Sequence, residues 1–125
     1  MVRITELEKI GYDERGYTYE YFHERMGRHI VIFRKAQTVS GNHYHKGISL
    51  SKNPEILILL SGALTLRYKE AQQSTIKSVQ ITVPSQIEIF PFVWHEVHCH
   101  TDCTMIELNG ISEHEIDTFY DMNPE

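Results

Sequence analysis

The sequence is poor in most of the features that would tie a chain to a membrane, a nucleic acid or a disulfide framework. It has two cysteines in 125 residues, Cys99 and Cys103. Two cannot form a framework, and in a reducing compartment they are expected as free thiols. No run of Lys or Arg occurs, and the net charge is −5 at pH 7. That balance excludes the basic footprint of a nucleic-acid binder. The longest aliphatic run, Ile56-Leu57-Ile58-Leu59-Leu60, is far too short to cross a bilayer. The opening Met1-Val2-Arg3-Ile4-Thr5-Glu6 lacks the apolar core of a signal peptide. The expectation is a cytoplasmic protein with neither a membrane nor a nucleic-acid partner.

Helical periodicity is also scarce. What is present is a series of short β-branched and aromatic runs punctuated by Gly, Pro, Asn and Ser, the pattern of an all-β domain. Strands are expected over residues 17–22, 29–33 and on toward 39, 55–60, 63–68, 77–83, 87–90, 93–98 and 104–108. Ser61-Gly62 marks a tight turn. Glu55 to Leu60 is apolar on both faces, so Leu57 and Leu59 should enter a barrel with Glu55, while Ile56, Ile58 and Leu60 meet another layer. A turn of helix is expected near Thr5 to Ile10. A second helix would start at a capping box in Ser112-Glu113-His114-Glu115, with Ile116, Phe119 and Tyr120 as its apolar stripe. Many short strands and little helix point to a barrel or jelly roll, one domain over 1–125 with its core at about 17–110.

Histidine is abundant. Eight histidines scattered at random would give about half an HxH pair by chance, and the chain has two, His43-Tyr44-His45 and His98-Cys99-His100. The pattern alone therefore decides nothing. On a strand, His43 and His45 project to one face. Glu55 opens the next strand on the face of Leu57 and Leu59, and His95 arrives later on the face of Val97 and Cys99. Three imidazoles and a carboxylate converging in an apolar lining make a metal site: a bound ion resolves the cost of burying them. The alternative is a barrel whose histidines hydrogen-bond to one another. His98, Cys99, His100 and Cys103 are zinc-type ligands, but His98 and His100 face away from Cys99, so an exposed polar turn is expected there. His23, His29 and His114 carry no partner pattern.

These residues resemble the two-motif signature of the cupin superfamily. His43, His45, Glu55 and Gly62 follow the order of the first motif, with six residues between Glu55 and Gly62. Phe90-Pro91-Phe92-Val93-Trp94-His95 stands where the second motif has its turn and histidine. The resemblance implies an all-β, cupin-type double-stranded β-helix with one divalent transition metal (Fe, Mn, Ni or Zn) on His43, His45, Glu55 and His95. Three departures are visible. Nine residues separate His45 from Glu55, Phe92 and Ser85 stand at usual glycine positions, and Cys99 replaces a usual Asn.

Such a site would suit a metal-dependent enzyme acting on a small polar substrate by isomerase, lyase or oxygenase chemistry. A narrower resemblance gives an alternative. Asp13-Glu14-Arg15-Gly16, Gly41-Asn42-His43-Tyr44-His45 and Trp94-His95-Glu96 are similar to segments of cupin enzymes of nucleotide-sugar and capsular-sugar biosynthesis. It implies a metal-independent isomerase or epimerase in which His43, His45 or His95 does acid–base work. A non-catalytic ligand-binding cupin is the third reading. Tyr44 and Trp94 are expected to pack and Arg34 or Lys35 to face inward, while Arg67 either reaches the pocket mouth or, by default, stands as a solvated surface charge. Open strand edges suggest a homodimer.

Overall fold

The computed structural model describes residues 1–120. The chain folds into two antiparallel sheets and a separate hairpin. The strands are β1 (Val2–Glu6), β2 (Glu8–Asp13), β3 (Gly16–Glu20), β4 (Ile30–Arg34), β5 (Thr38–His43), β6 (Glu55–Ser61), β7 (Leu64–Lys69), β8 (Lys77–Ile81), β9 (Ser85–Ile89), β10 (Trp94–Cys99) and β11 (Cys103–Glu107). One sheet has the order β1-β9-β6-β11-β4 and the other β5-β10-β7-β8. This is the expected cupin-type jelly roll, followed by a short helix, α1 (Ile111–Ile116).

The alternation of apolar residues sets the faces. Leu57 and Leu59 enter the inter-sheet core with Leu64, Leu66, Ile87, Val97 and Met105. Ile56 and Ile58 leave on the opposite face of β6 and are covered by Leu7, Ile106 and Leu108 of the same chain. That burial on both faces explains the unbroken apolar run. Gly62 turns β6 into β7 at φ 103, and a Cβ there would stand 2.3 Å from the Asp102 carbonyl. Only glycine fits this turn.

Two expectations fail at the ends of the chain. Residues 5–10 hold the end of β1 and the start of β2 with a break at Leu7: β1 pairs with β9 from Val2↔Ile89 to Glu6↔Ser85, and β2 pairs with β3 from Glu8↔Glu20. Nor does Ser112 cap the terminal helix: Gly110 is the N-cap, and its N–H donates to the Glu113 carboxylate at 2.8 Å. The apolar residues Ile111 and Ile116 of α1 are exposed, whereas Phe119 stacks beside Tyr44.

Candidate functional site

The site lies between the two sheets at one end of the barrel. β5 and β10 place His43 directly opposite His95 in register. Glu55 comes from β6 in the facing sheet. His45 follows β5, and its main-chain neighbour Tyr44 pairs with Phe119. The three imidazoles pack with ring centroids 4.7–5.2 Å apart. All four expected residues are thus brought together.

The nine-residue loop before Glu55 is held on both sides. The fully buried Asp117 carboxylate accepts the N–H groups of Lys46 and Ser49 at 2.8 and 3.1 Å. On the other side, the Arg25 guanidinium donates to the carbonyls of Ser51 and Pro54 at 2.9 and 3.1 Å. Arg25 and Asp117 therefore return Glu55 to the histidines, and neither position carries a motif signal.

Backbone carbonyls fix two of the rings. His45 Nδ1 lies 2.7 Å from the Asp117 carbonyl, and His95 Nδ1 lies 3.0 Å from that of Val93. A carbonyl only accepts, so each Nδ1 carries the proton and each Nε2 points inward. His45 Nε2 then faces Glu55 Oε2 at 3.1 Å, and His95 Nε2 faces Glu55 Oε1 at 3.2 Å. His45 Nε2 and Glu55 Oε1, which belong to different contacts of this pair, are each buried without a hydrogen-bond partner. Lone pair meets lone pair here, which requires a proton or another cation.

The donor spacing suits a metal ion, since ligand atoms about 2.1 Å from a common ion stand about 3 Å apart. The charge does not suit one. Lys52, fully buried, donates to Glu55 Oε2 at 2.6 Å and to Glu107 Oε2 at 2.7 Å, and its Nζ lies 3.1 Å from His114 Nδ1. A divalent ion on Glu55 would share that carboxylate with an ammonium. Two unit charges about 4 Å apart repel by about 4 kcal/mol at an effective dielectric of about 20, and a divalent ion doubles this. With Lys52 in place the residues around Glu55 do not fit a divalent ion.

The same contacts set the ionisation. Burial alone would raise Glu55, but the charges of His45 and Lys52 hold it well below the usual carboxylate range. Burial would lower Lys52, yet Glu55 and Glu107 keep it raised and charged. Burial, reinforced by His95, pushes His43 down to about 2, so this imidazole is neutral.

A cavity of about 120 Å³ opens onto the cluster, lined on its polar side by His43, His95, Glu55, Glu107 and His114 and on its apolar side by residues such as Leu57 and Met105. Its size admits the reacting end of a ligand rather than a whole nucleotide. Arg34 faces this cavity, as alternation along β4 requires. A larger depression of about 430 Å³ under the β2–β3 hairpin contains no member of the cluster.

Other expectations sort by strand phase. Arg67 takes the default outward position, paired with Glu96 at 2.7 Å outside the barrel. Trp94 is buried and donates to Asn42 Oδ1 at 2.9 Å. His98 bonds Glu96 and His100 bonds Thr65 on the outer face. Cys99 and Cys103 are free thiols buried in the core. His114 corrects the expectation of an isolated residue: α1 carries it to Lys52 and Glu107, with its ring 5.5 Å from that of His43. Lys52 and Glu107 were also missed. Glu107 could have been flagged by its charge between Ile106 and Leu108 on a strand, whereas Lys52, between Ser51 and Asn53, carries no such signal.

The chain matches solved structures over most of its length. QdtA, a sugar 3,4-ketoisomerase from Thermoanaerobacterium thermosaccharolyticum in complex with TDP, is 21% identical, with a TM-score of 0.70 over 96% of this chain and 88% of that one. A variant of QdtA in complex with TDP-4-keto-6-deoxyglucose matches equally well in TM-score, 0.70 at 20% identity over 96% and 87%. A 3,4-ketoisomerase from Helicobacter canadensis is 16% identical, with a TM-score of 0.67 over 96% and 90%. No protein-family model matches the chain, and no curated protein matches it in sequence. At these identities the likeness establishes the jelly-roll fold.

Proposed function

We propose that the protein is a nucleotide-sugar isomerase or epimerase that moves a proton beside a keto group without a metal. His43 carries this reading: it is a neutral imidazole facing the cavity, while Nδ1 of His45 and of His95 is held by a backbone carbonyl and their Nε2 atoms face Glu55. The fold's likeness to sugar 3,4-ketoisomerases supports it.

The chemistry follows from these groups. A carbon that bears a hydroxyl and adjoins a carbonyl loses its proton to a base while the carbonyl oxygen gains one, giving an enediol. Returning the carbon-bound proton to the former carbonyl carbon, while the hydroxyl oxygen of the first carbon gives up its own proton, moves the keto group to its neighbour. Nothing is oxidised or reduced overall, so no redox cofactor is needed. His43 takes and returns the proton, and the buried cluster holds the proton shared between Glu55 and His45. As negative charge develops on the sugar, a neutral His43 becomes a stronger base. The apolar side of the cavity excludes water from the enediol.

The protein also serves, on this reading, as a homodimer. The β2–β3 hairpin forms its own small sheet and leaves Tyr12 76% and Tyr17 53% exposed, while the edge strand β4 leaves Val31 73% and Phe33 54% exposed. A second copy would cover both apolar surfaces. Light scattering should give twice the chain mass, and a monomer at micromolar concentration would refute this.

The function is tested by incubating the protein with TDP-4-keto-6-deoxyglucose and following the sugar by proton NMR. Conversion to a positional isomer or epimer is expected. An unchanged sugar, with this substrate and with a panel of other keto-sugar nucleotides, would sink the proposal.

A further inference from the structure

The geometry points to Lys52 as the cation of this site: its ammonium takes the place of the divalent ion that three histidines and a glutamate would otherwise recruit. The inference deepens the proposed function by assigning a positioning residue that no sequence motif marks.

Lys52 is enclosed as a ligand is enclosed. Its three N–H donors meet three acceptors, Glu55 Oε2 at 2.6 Å, Glu107 Oε2 at 2.7 Å and His114 Nδ1 at 3.1 Å. These come from β6, β11 and α1, three separate elements. A tetrahedral ammonium with all its donors satisfied has the coordination of a bound cation rather than of a snorkelling surface lysine. Lys52 does not line the cavity, so it acts through Glu55 and not on the substrate.

The charge count leads to the same assignment. Lys52, Glu55 and Glu107 sum to one negative charge. A divalent ion added to these three groups would leave the cluster positive. Without Lys52 the two carboxylates carry two negative charges, and a divalent ion becomes the neutral solution. His45, Glu55 and His114 already offer ligand atoms within 4.8 Å of one another, as do His43, His45 and His95. The chain therefore holds a complete set of metal donors and suppresses metal binding with one side chain.

The test is zinc binding, measured by equilibrium dialysis and elemental analysis on untagged protein at neutral pH. Wild type should hold well below one zinc per chain at micromolar free Zn²⁺. Lys52→Met should gain about one zinc per chain, with an affinity at least about 100-fold higher, a bound set by removing one charge beside a divalent ion at short range. Adding His45→Gln to Lys52→Met should abolish the gain. Tight stoichiometric zinc in the wild type overturns the inference, as does a Lys52→Met protein with no gain, or a gain that survives His45→Gln. If Lys52→Met does not fold, Lys52→Gln, which keeps a polar donor, takes its place, and the wild-type measurement decides by itself. The readout does not depend on turnover. A protein inert toward every sugar nucleotide would remove the proposed function and leave this inference standing, whereas wild type that binds zinc tightly yet isomerises sugars at full rate once the zinc is stripped would do the reverse.

Discussion

The chain contains the same short pattern twice, and its two copies end in opposite environments. His43-Tyr44-His45 turns both imidazoles into the space between the sheets, where they meet His95 and Glu55. His98-Cys99-His100 turns its imidazoles outward onto Glu96 and Thr65 and buries the cysteine between them. The difference is phase. On β10 the inward positions are His95, Val97 and Cys99, so His98 must face out. An HxH pair is chemically meaningful only when its phase agrees with that of the apolar residues around it.

The contrast is broken most directly at the histidines. His43→Gln should lower kcat/KM for sugar isomerisation by about 10³-fold, within the range for losing a general acid–base group, while His98→Gln should leave it within about twofold. Equal losses in both variants would mean that phase does not select the site.

A second difference concerns buried and surface charge. Glu107→Ala removes one acceptor of the buried Lys52 and should cost about 3 kcal/mol of unfolding free energy, as breaking a buried ion pair does. Arg67→Ala removes the outer-face pair with Glu96, 2.7 Å apart, and should cost less than about 1 kcal/mol in denaturant unfolding.

The inner histidine should also shape the response to acid. Its folded-state value is pushed down to about 2 from an ordinary 6.5, so the unfolded chain binds a proton that folded His43 refuses. The associated stability is fully present above pH 6.5 and falls as pH drops toward 2. His43→Gln should flatten that part of the stability–pH curve, and His98→Gln should not. The smallest effect is expected at the outer pair's cysteine. Burial and the neighbouring Cys103 push Cys99 up to about 12, so iodoacetamide at pH 8 should modify it only once the protein is unfolded.

The jelly roll was legible because strand alternation and turn residues are local signals. Glu55 to Leu60 announced a strand buried on both faces, and its two apolar sets entered the two separate core clusters. The four-residue cluster was legible because motif spacing carried it. The remainder of the site depends on long-range placement. Lys52 lies in a loop without pattern, and Arg25 and Asp117, remote in sequence, fix that loop against the barrel. His114 reaches the site because Phe119 pairs with Tyr44 and draws the end of the chain across the barrel mouth. The N-terminal turn of helix was misread because residues 5–10 straddle the end of β1 and the start of β2 and are almost all exposed, so they carry no strand alternation of their own. Phe92 shows the converse. It holds φ 64 where glycine is expected, its N–H donates to the His45 carbonyl at 2.7 Å, and its ring stacks on Tyr44. Tertiary contacts hold a conformation that the residue type disfavours.

The most direct test of metal-free proton transfer at His43 is a turnover measurement in D₂O. Wild-type protein stripped with a chelator and shown by elemental analysis to be metal-free is mixed with TDP-4-keto-6-deoxyglucose, beside His43→Gln, and the sugar is followed by proton NMR. The account predicts isomerisation with deuterium entering at the carbon that gains the proton, at full rate in the stripped wild type and about 10³-fold slower in His43→Gln. Turnover that appears only after a divalent metal is restored, or that is unchanged in His43→Gln, would contradict it.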